Sequence, residues 1–287
     1  MNKYKTIFPI LIMFFVSSLL SATPSGDNSV IVVYPFENIT QNQQYDWLST
    51  GLMSTVITHL SNFKDWIVVD RRNLEKALGE LELNLSDLSE HDSSMIVGNF
   101  LAANTYVVGD FQVAGNRILI NAQVVEVESS RILTATKALG DYENEIFQLQ
   151  NSIGTDLVRG INEYNDSIGL KSVQLSDKIK SAMYQKSEST LKIYEYYSIA
   201  EDAFYQANYA KAQEYLDSII KEHPDHYRSL ILLTRMQIEM AQYSRALQTI
   251  THAYQVVAIE KSYGDDISVI DIGIEIIVTA RTVIPSD

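Results

Sequence analysis

Residues Ser29 to Leu83 leave the chain few choices of fold. A β-branched run, Val30 to Val33, stops at Pro35 and is followed by a polar loop, Glu37 to Gln44. Trp47, Leu48, Leu52, Val56, Ile57 and Leu60 then recur at helical spacing, which predicts an amphipathic helix. A second short β-run, Trp66 to Val69, ends at Asp70, which can cap a helix over Arg71 to Leu81. Strand, helix, strand, helix in this order requires a crossover and a parallel strand pair.

The segments that follow extend this unit into a mixed sheet. Asn84 to Ser94 reads as a loop with a helical turn, and Met95 to Ala102 as a short helix. Three β-runs come next, Thr105 to Val113, Ile118 to Glu128 and Ile132 to Ala138, with Ala114-Gly115-Asn116 as the first hairpin turn. Ile146, Leu149, Ile153, Leu157 and Ile161 form the apolar face of a closing helix over Glu145 to Tyr164. The expected fold is an α/β domain at 29–165 with a mixed sheet of about five strands.

The first 22 residues read as an address. Lys3 and Lys5 precede an apolar stretch, Ile7 to Leu20, and Ser21-Ala22 offers small residues for cleavage. The stretch is too short to span a bilayer comfortably. An export signal cleaved after Ala22 is expected, with a retained anchor as the alternative. Hydrophobic content of 46% and charged content of 20% mark the chain as globular. The net charge of -14 sets it against nucleic acid and anionic membrane surfaces. With no cysteine, the chain can form neither disulfides nor thiolate sites and cannot be acylated on sulfur.

Three segments carry a resemblance. One is FENIT followed by the Trp-Leu-Ser-x-Gly helix that starts at Trp47. The second is VVDRRNLEKALGELEL, starting at Val68. The third is ANTYVVGDF with RILINAQVVEVESSRIL, from Ala103 to Leu133. In this order they resemble the curli-secretion-channel (CsgG-like) domain superfamily, whose relatives include a flagellar outer-membrane protein family and the N-terminal domain of the TolB translocation protein. The resemblance implies a bacterial envelope protein of α/β fold that assembles or supports other envelope components. The chain departs from the channel members in having no cysteine to acylate and a tightly closed hairpin at Gly115.

Beyond a polar linker at 166–191, a second pattern begins. Tyr196, Ile199, Ala200, Ala212 and Leu216 recur 34 residues later as Leu230, Leu233, Thr234, Ala246 and Ile250. This period, with Pro224 closing the first unit, resembles two tetratricopeptide repeats. The small residues are needed where paired helices press together. Thr234 and Ala258 depart from the usual small residue and the usual closing proline. Asp266 to Ile284 is expected to cap the open end, so the all-α repeat domain is placed at 192–284. Val269, Ile270, Gly273, Ile276, Ile277 and Ala280 fit a capping helix, whereas the alternation Ile270, Ile272, Ile274, Ile276 fits a strand.

No catalytic constellation appears. His223 and His226 could pair on a metal, but no third ligand accompanies them. Ser61 with Lys64 and Ser189 with Lys192 match S-x-x-K without its companion motifs. No glycine-rich phosphate cradle exists. Asp70-Arg71-Arg72 reads as a helix cap with a bridging arginine, or else as an anion contact. Tyrosines crowd the repeats. Tyr196, Tyr209 and Tyr243 fall on core positions, while Tyr197, Tyr205, Tyr215 and Tyr227 are candidates to line a groove for an extended peptide.

The resulting expectation is a non-enzymatic, periplasmic protein, associated with the outer membrane in one version, that supports assembly or secretion of an envelope or extracellular structure. Its partner would be an envelope protein recruited by the repeats, and a homo-oligomer is compatible with the chain. No cofactor, metal, nucleic acid or membrane span after signal cleavage is expected. The alternatives are an activator or adaptor docking on a cell-wall synthase and, in third place, a hydrolase.

Overall fold

The computed structural model of the chain describes residues 28–176 and 190–261. The signal segment, half of the expected linker and the expected C-terminal cap therefore lie outside the described residues. An α/β domain comes first, and a run of helices follows it.

The sheet has the order β3-β1-β4-β5-β6. β1 (Ser29–Val33) is central, with β3 (Trp66–Val68) and β4 (Thr105–Ala114) parallel to it on either side. β5 (Arg117–Glu126) and β6 (Ile132–Asp141) complete an antiparallel meander. Ile31 to Tyr34 are all buried, as a central strand covered on both faces requires. The cover comes from α1 (Trp47–Ser61) with α4 (Ile146–Ile168), and from α2 (Arg71–Glu80) with α3 (His91–Phe100). The predicted apolar face of α1 is in the core, with Leu48, Leu52, Val56 and Leu60 all buried. Asp70 caps α2 as predicted, its carboxylate accepting from the Asn73 amide at 2.8 Å.

The structure corrects several boundaries. The polar loop after Pro35 contains β2 (Glu37–Asn38), which pairs with β4 and makes a sixth strand. Gly109 on β4 is required here, because a Cβ would overlap the Phe36 ring and the Asn121 carbonyl. α3 starts at His91, four residues before the expected Met95. α4 runs to Ile168 and stops at Gly169, whose φ of 76° suits glycine. The segment that follows lies back on the domain. Asn162 bonds both backbone groups of Val173, at 2.8 and 2.7 Å, and the Trp66 indole donates to the Lys171 carbonyl.

The helical run consists of α5 (Leu191–Tyr205), α6 (Tyr209–Glu222), α7 (Tyr227–Glu239) and α8 (Tyr243–Lys261). Thr190 and Asn208 cap α5 and α6 through their side-chain oxygens, and the His226 ring nitrogen caps α7.

Candidate functional site

The helices pair as two hairpins, α5 with α6 and α7 with α8. Their turns superpose in sequence at 34 residues. Ala207 and Ala241 both take positive φ, 55° and 57°, and the amides of Asn208 and Gln242 close on the carbonyls of Ala203 and Gln237 at 2.8 and 2.7 Å. Ala212 and Ala246 are both fully buried. Thr234, the enlarged small residue, is buried as well, and its hydroxyl is satisfied by the Leu230 carbonyl at 2.8 Å.

The four candidate groove tyrosines do not share an open surface. Tyr197 is a core residue: it is 8% exposed, its hydroxyl donates to Glu201 and the Arg228 guanidinium lies 4.6 Å from its ring centre. Tyr215 is half-buried, edge-on to Tyr196 at 5.2 Å. Tyr227 packs at the margin of the α7–α8 core. Tyr205 is half-buried against the α/β domain, with the Arg71 guanidinium 4.6 Å from its ring centre. Burial pushes its phenol up to about 12, and Glu201 adds to the shift. For Tyr197 and Tyr205 the physical reason is that α5 has neighbours on two sides, so a ring on either face of it is buried.

The second neighbour of α5 is the α/β domain. Tyr194, Ser198, Glu201, Asp202 and Tyr205 recur at i, i+4, i+7, i+8 and i+11, one face of a helix. That face lies on α1 and the start of α2. Tyr194 is 3% exposed and belongs to the same apolar cluster as Val56, Leu60 and Ile153. Its ring stands edge-on to Trp47 at 5.1 Å and to Phe147 at 5.7 Å. Its hydroxyl accepts from the Gln150 amide at 2.9 Å and lies 3.3 Å from the Thr55 hydroxyl. Gly51 on α1 permits the approach, since a Cβ there would sit 2.8 Å from the Ser198 hydroxyl and 3.0 Å from that of Tyr194.

Charge closes the rest of this face. The Ser54 hydroxyl donates to Glu201, and Arg71, itself 3% exposed, bonds Asp202 at 2.6 Å and Glu75 at 3.3 Å. Burial alone pulls the Arg71 guanidinium down. The Asp202 hydrogen bond and the carboxylates of Asp202, Glu201 and Glu75 more than offset it, so the group stays charged. Arg72 reaches Glu239 at the end of α7 at 3.4 Å. Asp70-Arg71-Arg72 is thus a cap and two bridges between the units. Glu195, beside this face, is held above the usual carboxylate range by burial. The same i, i+4, i+7 spacing of Tyr194, Ser198 and Glu201 was open to sequence reasoning, but it competes with the repeat pattern on the same helix.

The remaining flagged residues have local roles. The His226 Nδ1 lies 2.8 Å from the Ser229 hydroxyl, where it caps α7. Ser61 and Lys64 are both exposed at the end of α1. Lys192 pairs with Glu222 at 3.4 Å, and Ser189 lies outside the described residues. Among the described residues no group of three or more His, Asp or Glu could hold a metal ion. Among them, too, no helix is long and apolar enough to cross a membrane.

A family model for the curli production assembly/transport component CsgG matches residues 16–114, about a third of the chain. The match ends where β4 ends and takes in FENIT, the α1 helix, VVDRRNLEKALGELEL and ANTYVVGDF. No curated protein matches the chain. Among solved structures, the LpoB C-terminal domain from Salmonella enterica is similar at 18% identity and a TM-score of 0.34, over 42% of this chain and 87% of that one. Lipoprotein GNA1162 from Neisseria meningitidis is similar at 14% identity and a TM-score of 0.35, over 47% of this chain and 99% of that one. TolB from Acinetobacter baumannii is similar at 14% identity and a TM-score of 0.33, over 47% of this chain and 29% of that one.

Proposed function

We propose that this chain is an exported, non-enzymatic protein of the bacterial envelope that supports assembly or secretion of an outer-membrane or extracellular structure. Its helical hairpins act as a tetratricopeptide-like unit that binds a protein. The observation that carries the reading is the match of residues 16–114 to the curli production assembly/transport model. The export signal at 1–22 supports the compartment. The 34-residue equivalence of the two hairpin turns supports the repeat assignment. The non-enzymatic reading is supported by the roles of the polar residues flagged in the sequence: Asp70 and His226 cap helices, and Arg71 bridges the two units.

The deciding experiment is affinity purification of the full chain from cross-linked cells, beside cell fractionation. The expected result is a mature N-terminus near Thr23, release by osmotic shock without detergent, and co-purification of components of one envelope assembly. Capture of a cell-wall synthase in their place would favour the activator reading. An N-terminus at Met1 with retention in the cytoplasm would refute both.

A further inference from the structure

The sheet ends in two unequal edges. β3 is three residues long and β6 is ten. Natural sheets blunt a free edge by keeping it short, and β3 follows that rule. Among the described residues no strand pairs with the outer side of β6.

The hydrogen-bond phase along β6 fixes which groups that edge offers. The Tyr142 amide donates to the Asn116 carbonyl at 2.8 Å, so this pair turns its backbone groups toward β5. In an antiparallel ladder, inward and outward residues alternate. Gly140, Ala138, Thr136 and Thr134 therefore bond to β5, and Asp141, Leu139, Lys137 and Ala135 point their backbone groups away from it. Asp141 is closed by the start of α4: its amide donates to the Glu145 carboxylate at 2.7 Å, and its carbonyl accepts from the Glu145 amide at 3.0 Å. No such closure exists among the described residues for Leu139, Lys137 and Ala135, whose side chains are exposed as well, Leu139 at 58%.

This edge is fixed from behind. The Thr136 hydroxyl donates to Asp156 on α4 at 2.8 Å, and Gly160 lets α4 come close, since a Cβ there would sit 2.2 Å from Thr134. A cleft of about 200 Å³ lies between Arg131 and Ile132 at the start of β6 and Glu163 and Tyr164 on α4, with room for one side chain of an incoming strand.

Charge selects the occupant. The antiparallel register that pairs all three open residues with a second copy sets Lys137 directly opposite Lys137, and like charges so placed are destabilising. A carboxylate in the same place is favoured. Ala135 and Leu139 flank Lys137 on its own face of the sheet, and Leu119 stands beside Leu139 on β5. The positions two residues to either side of that carboxylate therefore meet apolar carbon.

We propose that the outer edge of β6 takes an extended segment of another protein as a seventh strand, with an acidic side chain opposite Lys137 and apolar side chains two residues to either side. Backbone bonds to Ala135, Lys137 and Leu139 supply the affinity, and the pair with Lys137 supplies the selectivity. The surface is separate from the helical hairpins, so it stands whether or not they bind a protein.

The test uses the full chain and a synthetic, end-blocked, fluorescein-tagged peptide of about nine residues, with glutamate at its centre, valine at every second position from it and threonine between. Binding is read by fluorescence anisotropy, and amide hydrogen exchange is read by nuclear magnetic resonance. The expected result is saturable binding that slows exchange at Ala135, Lys137 and Leu139 by about tenfold or more, with Thr136, already paired to β5, as the reference. Lys137→Glu should weaken binding by about threefold or more, and a lysine-centred peptide should restore it. A peptide N-methylated at the residues that face β6 should not bind, and it leaves the protein unaltered. Absence of binding by the unmodified peptide, or binding indifferent to both Lys137→Glu and N-methylation, would overturn the proposal. Slow exchange at the three amides without peptide would overturn it too, in favour of a second copy if protection rises with protein concentration and of the chain's own cover if it does not.

Discussion

Replacing Tyr194 tests whether the α/β domain and the helical hairpins are one structural body. The ring is buried between Trp47 and Phe147, and its hydroxyl satisfies the Gln150 amide, itself 5% exposed. Tyr194→Phe keeps the ring and leaves that buried amide short of an acceptor, a cost of about 1–3 kcal/mol. Tyr194→Ala also removes the ring, and large-to-small changes of aromatic residues cost about 3–5 kcal/mol. With a urea slope of about 2–3 kcal/mol per molar, the alanine variant should unfold about 1–2 M earlier. Trp47 serves as the reporter, in a Trp66→Phe background that makes it the only tryptophan. In the parent chain, Trp47 fluorescence and far-ultraviolet circular dichroism should give coincident transitions. In Tyr194→Ala the fluorescence transition should come first, because the contact between the units is lost before the helices melt. An unchanged midpoint, with coincident transitions in both chains, would refute the claim that the face of α5 built on Tyr194 holds the units together.

Three further outcomes follow from the same geometry. Ala246→Leu should overpack the α7–α8 contact and lower stability by about 1–3 kcal/mol in a denaturant titration, since Ala246 is fully buried. Arg71→Ala should cost about 1–3 kcal/mol, below the value for a fully buried pair, because Asp202 keeps 30% of its side chain in water. Glu195→Gln should raise the melting temperature at neutral pH. Burial holds the Glu195 carboxyl above its ordinary range, so between the ordinary and the raised value the folded chain binds more proton than the unfolded one. Stability therefore falls as pH climbs through that interval, and melting curves from pH 4 to 7 should show a flatter profile for the glutamine variant.

Local signals in the sequence carried much of the fold. The α1 face, the Asp70 cap and the Gly115 turn are consequences of residues within a few positions of one another, and each stands in the structure. What was missed depends on partners far along the chain. β2 is two residues long and exists because β4 offers it an edge, so no alternation in the loop could announce it. The first turn of α3, His91 to Ser94, is polar because little of it is buried, which hides a helix start from a reading based on apolar periodicity. The repeat period sorts the tyrosines by position within the hairpins, which on α5 describes only the face used by its own hairpin. Tyr194 lies on the other face and reads as ordinary until α1 is placed beside it.

That second face changes where a partner can bind. In the groove reading, Tyr197 and Tyr205 face an extended peptide. In the structure Tyr197 is sealed into the hairpin core and Tyr205 lies under Arg71. The face from Tyr194 to Tyr205 is taken by the chain's own α1 and α2, and α7 follows through Glu239 to Arg72. A peptide competing for this surface would have to displace the edge contacts on Tyr194 and the Arg71 bridge together. Breaking one buried hydrogen-bonded group and one partly buried pair costs several kcal/mol before any binding is gained. A partner that leaves the two units docked avoids that cost by using surfaces away from the junction. The exposed back of α6 and the α/β domain itself meet this condition, so partner-binding substitutions should first be sought there, with Tyr194 and Arg71 kept intact.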